Sequence, residues 1–212
     1  MISTRPRVSL QNEHATAGGR ESFSGEDGLN DHSNLIHYGG RFWVMWSDGP
    51  AVEARVGQRI KYATSDDGLV WSEPQDLTSH PPNSGPGSPF YGQRTEEGFR
   101  FIARGFWQRD GELLALASLD EADRFFGPSL QLHAWRWNER RRRWQHAGIV
   151  HDNTINNFAP RQLPTGEWMM TRRTHDYRTR GVQFLVGGVR AINHWESFPV
   201  HSAETALAAE EP

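Results

Sequence analysis

The segment Thr64-Ser65-Asp66-Asp67-Gly68-Leu69-Val70-Trp71 constrains the fold of this 212-residue chain more than any other stretch. It places a hydroxyl residue, an acid, a glycine and a tryptophan at a spacing typical of a tight turn between two strands. We expect the Asp66 carboxylate to accept hydrogen bonds from turn amides, Gly68 to adopt a conformation that other residues avoid, and Trp71 to cover the turn. Residues 59–64 and 71–77 have the pattern of the two flanking strands.

Strand-like runs bounded by Gly, Asp and Pro recur along the rest of the chain, and helical periodicity is scarce. The runs fall into three groups, at approximately residues 33–78, 88–150 and 156–200. Each group fits one four-stranded antiparallel sheet. A turn glycine, a polar residue and an apolar run recur in the three groups, at residues 40–45, 111–116 and 166–170. We therefore predict a single all-β domain with 201–212 as a connector.

The composition excludes several classes of protein. Apolar residues make up 36% of the chain, which is compatible with a globular fold. The net charge of −3 implies no electrostatic field that would attract nucleic acid or a membrane surface. Cysteine is absent, so disulfides and thiol chemistry are excluded. The ten histidines have no metal-ligand spacing, so we expect no metal and no cofactor. The first seven residues contain no apolar signal-peptide core, so the cytoplasm is the default expectation.

The Asp-Gly-Trp turn lies within a four-strand group, and further groups of the same size follow it. With these features the chain resembles the sialidase-like β-propeller superfamily, also known by its Asp-box or BNR repeats, over about residues 30–200. The resemblance implies that the turn joins the third and fourth strands of a blade and is structural. Its defining positions here are Thr64, Asp66, Gly68 and Trp71. The superfamily contains exo-sialidases, other glycan hydrolases and polysaccharide lyases, so a carbohydrate substrate is expected.

Three sheets do not close a propeller, because propellers typically have about 4–8 blades. We therefore expect an incomplete propeller that belongs to a longer protein. A self-contained assembly of three sheets and closure by dimerisation are the alternatives. The sequence does not predict an oligomeric state.

The resemblance also implies where a site would lie, because members of the superfamily build their sites at the central axis, from the first strand of each blade and the adjoining loops. The catalytic candidates at such positions are Asp31, His32, Tyr91 and His175. The candidates for substrate binding are Arg104, Trp107, Asn157, Arg161, Arg173 and Tyr177.

Two reaction types are compatible with these residues. An exo-sialidase would use three arginines for the substrate carboxylate, a Tyr nucleophile paired with Glu, and an Asp acid, and Arg104, Arg161 and Arg173 are eligible. A polysaccharide lyase would need His or Tyr as a base beside an arginine that neutralises a uronate carboxylate. The Phe-Arg-Ile-Pro type of segment that precedes the first Asp box of sialidases does not occur here. Exo-sialidase-like hydrolysis of an acidic sugar is the first expectation, and cleavage of a uronate-containing glycan by a lyase is the second. A non-catalytic or inactive glycan-binding chain is the third.

Each candidate also has a purely structural interpretation. Asp31 and His32 would form an ordinary turn before a strand, and Arg161 would be a surface residue of a strand. Arg104 alternates with Phe101 and Ala103, so it would face water. Most tryptophans would belong to the core, with Trp107 as the one placed to stack on a sugar.

Overall fold

The computed structural model describes residues 28–50, 52–123, 126–175 and 183–200, and every regular element in these ranges is a β-strand. Within these ranges no helix is long and apolar enough to cross a membrane. The twelve strands are β1 (Gly28–Tyr38), β2 (Arg41–Pro50), β3 (Arg59–Ser65), β4 (Gln75–Asp76), β5 (Phe99–Arg109), β6 (Glu112–Glu121), β7 (Gln131–Asn138), β8 (Arg143–Asp152), β9 (Arg161–Gln162), β10 (Trp168–Arg172), β11 (Gln183–Gly187) and β12 (Trp195–Pro199).

The strands form three four-stranded antiparallel sheets, each made of four strands consecutive in sequence: β1–β4, β5–β8 and β9–β12. The prediction of an all-β fold with three such sheets is confirmed. One strand is shorter than its sequence pattern indicated, because residues 71–77 contribute only β4. The predicted connector, residues 201–212, lies outside the described residues.

Glycine sets the turns of two hairpins. Gly39 and Gly40, between β1 and β2, have φ values of 59° and 80°. Asp110 and Gly111, between β5 and β6, have φ values of 49° and 77°. Positive φ at both central residues defines the turn whose twist matches that of the flanking strands, so these dipeptides fix the register of both hairpins.

The turn between β3 and β4 is tight, but its carboxylate acceptor is Asp67 and not Asp66. One Asp67 carboxylate oxygen accepts from the Leu69 amide at 2.8 Å and from the Val70 amide at 2.9 Å. These hydrogen bonds lower the pKa of Asp67. Asp66 instead is 84% exposed and lies 3.3 Å from Arg41. The prediction for Gly68, with φ of 77°, is confirmed, and Trp71 is half-buried.

The adjacent acids give a matched pair for testing this turn. Replacing Asp67 by Ala should lower the urea midpoint of unfolding more than replacing Asp66 by Ala, because only Asp67 accepts the turn amides. Equal shifts of the two midpoints would show that the turn does not depend on the Asp67 carboxylate.

Both faces of the middle sheet are buried. One face packs on the first sheet in a cluster that includes Trp43, Met45, Phe101, Leu113 and Trp135. The other face packs on the third sheet in a second cluster of buried residues: Trp107, Leu114, Leu116, Leu132, Ala134, Val150, Met170 and Leu185. The three sheets are therefore stacked face to face, with the middle sheet between the other two.

A β-bulge in β5 changes which face of the middle sheet its side chains point to. The pairing with β6 shifts between Ala103 and Gly105, so Arg104 has no partner residue. Phe101 and Ala103 contact the first sheet before the bulge, and after it the even-numbered Phe106 does so. Trp107 consequently points toward the third sheet, where it is 1% exposed. Its predicted stacking on a sugar is wrong, because a ring enclosed by protein has no face to offer.

Leu116 tests the packing between the middle and third sheets. It is fully buried in the second cluster, so Leu116→Ala should lower the free energy of unfolding by about 2–5 kcal/mol. The control is Leu69→Ala at an exposed turn position, which should have little effect. Similar urea midpoints for the two variants would contradict the packing of these sheets against each other.

Candidate functional site

A cavity of about 650 Å³ opens where the three sheets meet. It is lined by residues from β1 and β5, from the loop between β2 and β3, and from the segments that flank β9 and β10. The lining residues are His32, Ser33, Asn34, Glu53, Ala54, Arg94, Arg100, Ile102, Ala103, Arg104, Phe126, Asn157, Phe158 and Arg173. We call this cavity the arginine pocket, because four of these residues are arginines.

Two β-bulges shape the arginine pocket. In β1 the register shifts between Asp31 and Asn34, and His32 takes a φ of 54°. This local conformation is fixed by the Asp31 carboxylate, which accepts the His32 amide at 2.7 Å, and by the Asn34 side chain, which donates to the His32 carbonyl at 2.7 Å. The bulge at Arg104 in β5 lies opposite. Bulges redirect side chains, and here they aim His32 and Arg104 into one cavity.

Arg104 is buried rather than facing water, which corrects the interpretation from alternation. It is 6% exposed, and its Nε donates to the Ser118 hydroxyl at 2.9 Å. Burial, together with the charges of Arg100 and Arg173, lowers the pKa of Arg104 to about 10. The guanidinium group is therefore still charged at neutral pH, in a place where its neighbours disfavour that charge.

Arg100 is the arginine of the pocket with a buried counter-ion. Its guanidinium lies 3.1 Å from the Asp120 carboxylate, and both side chains are almost fully buried. Burial raises the pKa of Asp120 to about 6, although the Gly127 amide and Arg100 act in the opposite direction. Asp120 is thus ionised at neutral pH and offsets one of the positive charges.

The third sheet contributes Arg173, Asn157 and Phe158. The backbone of Arg173 exchanges two hydrogen bonds with Ile155, at 2.8 and 3.0 Å. Its Nε is buried and has no hydrogen-bond partner among the described residues. Phe158 is 69% exposed, and its carbonyl accepts from the buried Asn156 side chain at 3.0 Å, which anchors the segment. The third sheet thus presents an unsatisfied guanidinium donor and an exposed aromatic ring.

Three groups able to transfer protons lie together: His32 and Glu53 line the pocket, and Asp31 lies beside them but is not among the lining residues. Ligand atoms of Asp31, His32 and Glu53 all lie within 4.8 Å of one another. Burial lowers the pKa of His32, Arg104 lowers it further, and Asp31 opposes both effects. His32 is therefore neutral at pH 7 and able to accept a proton. The same three residues could hold a cation, although the arginines make the pocket more favourable for an anion.

The other predicted site residues lie elsewhere. Tyr91 packs against Gly57 and His80, with 5.8 Å between the Tyr91 and His80 ring centroids. His175 is held by Asn153, whose side-chain oxygen lies 2.7 Å from the His175 amide and 2.9 Å from its ring nitrogen. Arg161 lines a neighbouring groove of about 330 Å³. Tyr177 lies outside the described residues.

Sequence reasoning missed four charged or aromatic lining residues: Glu53, Arg94, Arg100 and Phe126. Arg100 belongs to the same alternating run as Arg104, and alternation alone places both on a solvent face. Glu53, Arg94 and Phe126 lie on loops with no periodic pattern.

No protein-family model and no curated protein sequence matches the chain. Solved structures do match. Zg3597, a family 117 glycoside hydrolase produced by the marine bacterium Zobellia galactanivorans, has a TM-score of 0.56 and 13% identity, with 81% of this chain and 56% of that one covered.

Two other structures are similar to a comparable degree. The inulosucrase of Halalkalicoccus jeotgali bound to kestose has a TM-score of 0.51 and 14% identity, covering 85% of this chain and 55% of that one. The endo-arabinase of Bacteroides thetaiotaomicron has a TM-score of 0.50 and 13% identity, covering 87% and 66%. The chain thus spans a little over half the length of the first of these structures. At such identities the likeness shows the fold alone, and the three sheets are blades of an incomplete β-propeller.

The surroundings of His32 predict how its pKa responds to substitution. Asp31→Asn removes a negative charge that favours imidazolium, so the pKa of His32 should fall. Arg104→Gln removes a positive charge that disfavours imidazolium, so the pKa should rise. Both shifts are measurable by NMR titration of the His32 ring. Shifts of the same sign in the two variants would refute this charge arrangement.

Proposed function

We propose that the arginine pocket binds the carboxylate-bearing unit of an acidic glycan and that the protein hydrolyses the adjoining glycosidic bond. One observation carries the proposal. Four arginines line the pocket, and Glu53 is the only acidic residue among the described lining residues. Asp120, which is buried and does not line the pocket, pairs with Arg100 and so offsets one of the four positive charges. An anionic ligand would relieve the repulsion that remains.

A carboxylate suits these donors better than a neutral hydroxyl group. A guanidinium fork matches a carboxylate through two parallel hydrogen bonds, and such charged bonds are roughly twice as strong as neutral ones. The buried Nε of Arg173 lacks a hydrogen-bond partner among the described residues, so a ligand oxygen would satisfy it. The Asn34 and Asn157 amides and the ring of Phe158 complete a lining suited to the hydroxyls and apolar face of a sugar.

Asp31 and Glu53 are the groups we assign to hydrolysis. One carboxyl group, as acid, donates a proton to the glycosidic oxygen as the bond between that oxygen and the anomeric carbon breaks, and the other, as a carboxylate nucleophile, bonds to that carbon. Their oxygens lie within 4.8 Å, closer to the separation of about 5–5.5 Å in retaining enzymes than to the roughly 6.5–9.5 Å of inverting ones. Water, deprotonated by the first carboxylate, then displaces the second from the anomeric carbon, which balances the reaction.

The sialidase-like form of this proposal is narrower. Arg104 and Arg173, which both line the pocket, support recognition of a carboxylate, whereas the acceptor of the turn at residues 64–71 is Asp67 and not the Asp66 of the motif. An exo-sialidase also needs a tyrosine nucleophile. Tyr91 packs against His80 and is not among the residues that line the pocket, and Tyr177 is not among the described residues. We therefore assign the acid–base and nucleophile roles to Asp31 and Glu53.

β-Elimination is the second candidate, and the lowered pKa of His32 favours it. A neutral imidazole beside Arg104 could take the proton next to a uronate carboxylate while the arginine neutralises that carboxylate. The two reactions leave different products, because hydrolysis leaves a saturated unit at the new non-reducing end and elimination leaves an unsaturated uronate there.

Arg173→Gln tests the proposal. The variant should bind and turn over uronate- and sialate-containing oligosaccharides about tenfold less well or worse, since charged hydrogen bonds contribute about 1.5–3 kcal/mol. Neutral oligosaccharides should be unaffected. Arg143→Gln, at an exposed position of β8 outside the pocket, is the matched control.

Chromatography of the reaction products decides between the functions. Saturated products with new reducing ends support the hydrolase, and unsaturated uronates support the lyase. Binding of acidic glycans without product would identify a non-catalytic module. Equal losses for acidic and neutral glycans in Arg173→Gln would refute carboxylate recognition by the pocket.

A further inference from the structure

The groove that contains Arg161 adjoins the arginine pocket. It is lined by residues of β1 and β5, and by the segment from Phe158 to Trp168. Asn34 and Phe158 line both cavities, so the two spaces meet at these side chains. Together they offer room for more than one sugar unit, since cavities that bind small ligands measure about 300–1,000 Å³.

Gly105 keeps the junction between the two cavities open. It has a φ of 106°, and a Cβ atom there would lie 3.2 Å from the Asn34 side-chain oxygen and 3.3 Å from the Ala159 Cβ. Strand β5 therefore approaches β1 and the segment before β9 closely at this point, and Gly105 has no side chain that would divide the space. This glycine is the residue after the bulge that directs Arg104 into the pocket.

Phe158 stands at the boundary of the cavities as an exposed ring on an anchored segment. The buried Asn156 side chain anchors the Phe158 backbone through its carbonyl, yet Phe158 itself is 69% exposed. Packing against the described residues therefore does not account for an aromatic residue at this position. A sugar ring or a glycosidic linkage passing from one cavity to the other would cover this apolar surface.

The lining chemistry of the groove differs from that of the pocket. Arg161, Gln108 and Gln162 are exposed polar residues of the groove, and Trp168 is half-buried beside them. No described lining residue of the groove is acidic. One guanidinium and two amides suit a unit with hydroxyl and carboxylate oxygens, and the single charge gives a weaker anion site than the pocket.

We propose that the ligand is an acidic oligosaccharide of at least two units, with one unit in the arginine pocket and the next in the groove under Arg161. Phe158 contacts the linkage between the units. This inference rests on the proposed function, since it extends the same site. Arg161 is then a specificity-determining residue for chain length, separate from the arginines that recognise the first carboxylate.

Calorimetric binding of chains of different length tests this inference. The probes are galacturonate, mannuronate and sialate, each as a monomer and as a linear trimer, at physiological salt. A trimer of the sugar that binds should bind about tenfold more tightly than its monomer, the gain expected from one added charged contact. Arg161→Ala should abolish this gain and leave monomer binding unchanged.

The controls separate this inference from the proposed function. Arg143→Ala removes an exposed arginine outside both cavities and should preserve the trimer-to-monomer ratio. Arg173→Gln should weaken monomer and trimer alike. If Arg161→Ala keeps the wild-type ratio, or weakens the monomer as much as the trimer, the groove does not hold a second unit. If no probe binds, or Arg173→Gln leaves monomer binding intact, the proposed function itself is overturned.

Discussion

The burial of the middle sheet on both faces is the constraint on which the rest of the structure depends. A strand with one solvent-exposed face tolerates polar residues at alternate positions, whereas β5 and β6 make apolar contacts on both faces. A slip of one residue would exchange the two faces, so the register of β5 against β6 is strongly specified. The one irregularity in this pairing, at Arg104, is consequently the point where the sheet departs from close packing and a cavity forms.

Placing Arg100 and Arg104 at that point is costly for the fold. A buried guanidinium loses hydration, and neighbouring guanidinium groups repel each other. Asp120 and Ser118, on the adjacent strand β6, offset part of this cost through an ion pair with Arg100 and a hydrogen bond to Arg104. Neither neutralises Arg104. The residual positive charge is therefore a cost to the fold, and it is the feature on which the proposal of anion binding rests.

The sequence was sufficient to predict the fold because its determinants are local. Paired turn residues such as Gly39-Gly40 and the alternation of apolar residues specify hairpins and sheets without knowledge of partners. The site was only partly predictable. The structural interpretation of Arg104 from alternation places it on a solvent face, whereas the bulge buries it, and Trp107, expected to stack on a sugar, is enclosed just after the same bulge. A bulge depends on the pairing of two strands, which a single strand's pattern does not reveal. The ring of Tyr91 packs over Gly57, and its catalytic role stays a prediction.

The division between regular and irregular backbone also bears on what the site can do. Arg100 and Arg104 lie in the continuously buried part of β5, residues 100–107, so their positions are fixed by packing on both sides. Asn157, Phe158 and Arg173 lie on segments outside the strands, and β9, an edge strand of the third sheet, has only two residues. The short β9 thus leaves Asn157 and Phe158 in irregular backbone at the wall of the pocket. Under the proposed function this irregular segment would contact the sugar, while the closely packed β5 supplies the positive charge on which carboxylate recognition depends.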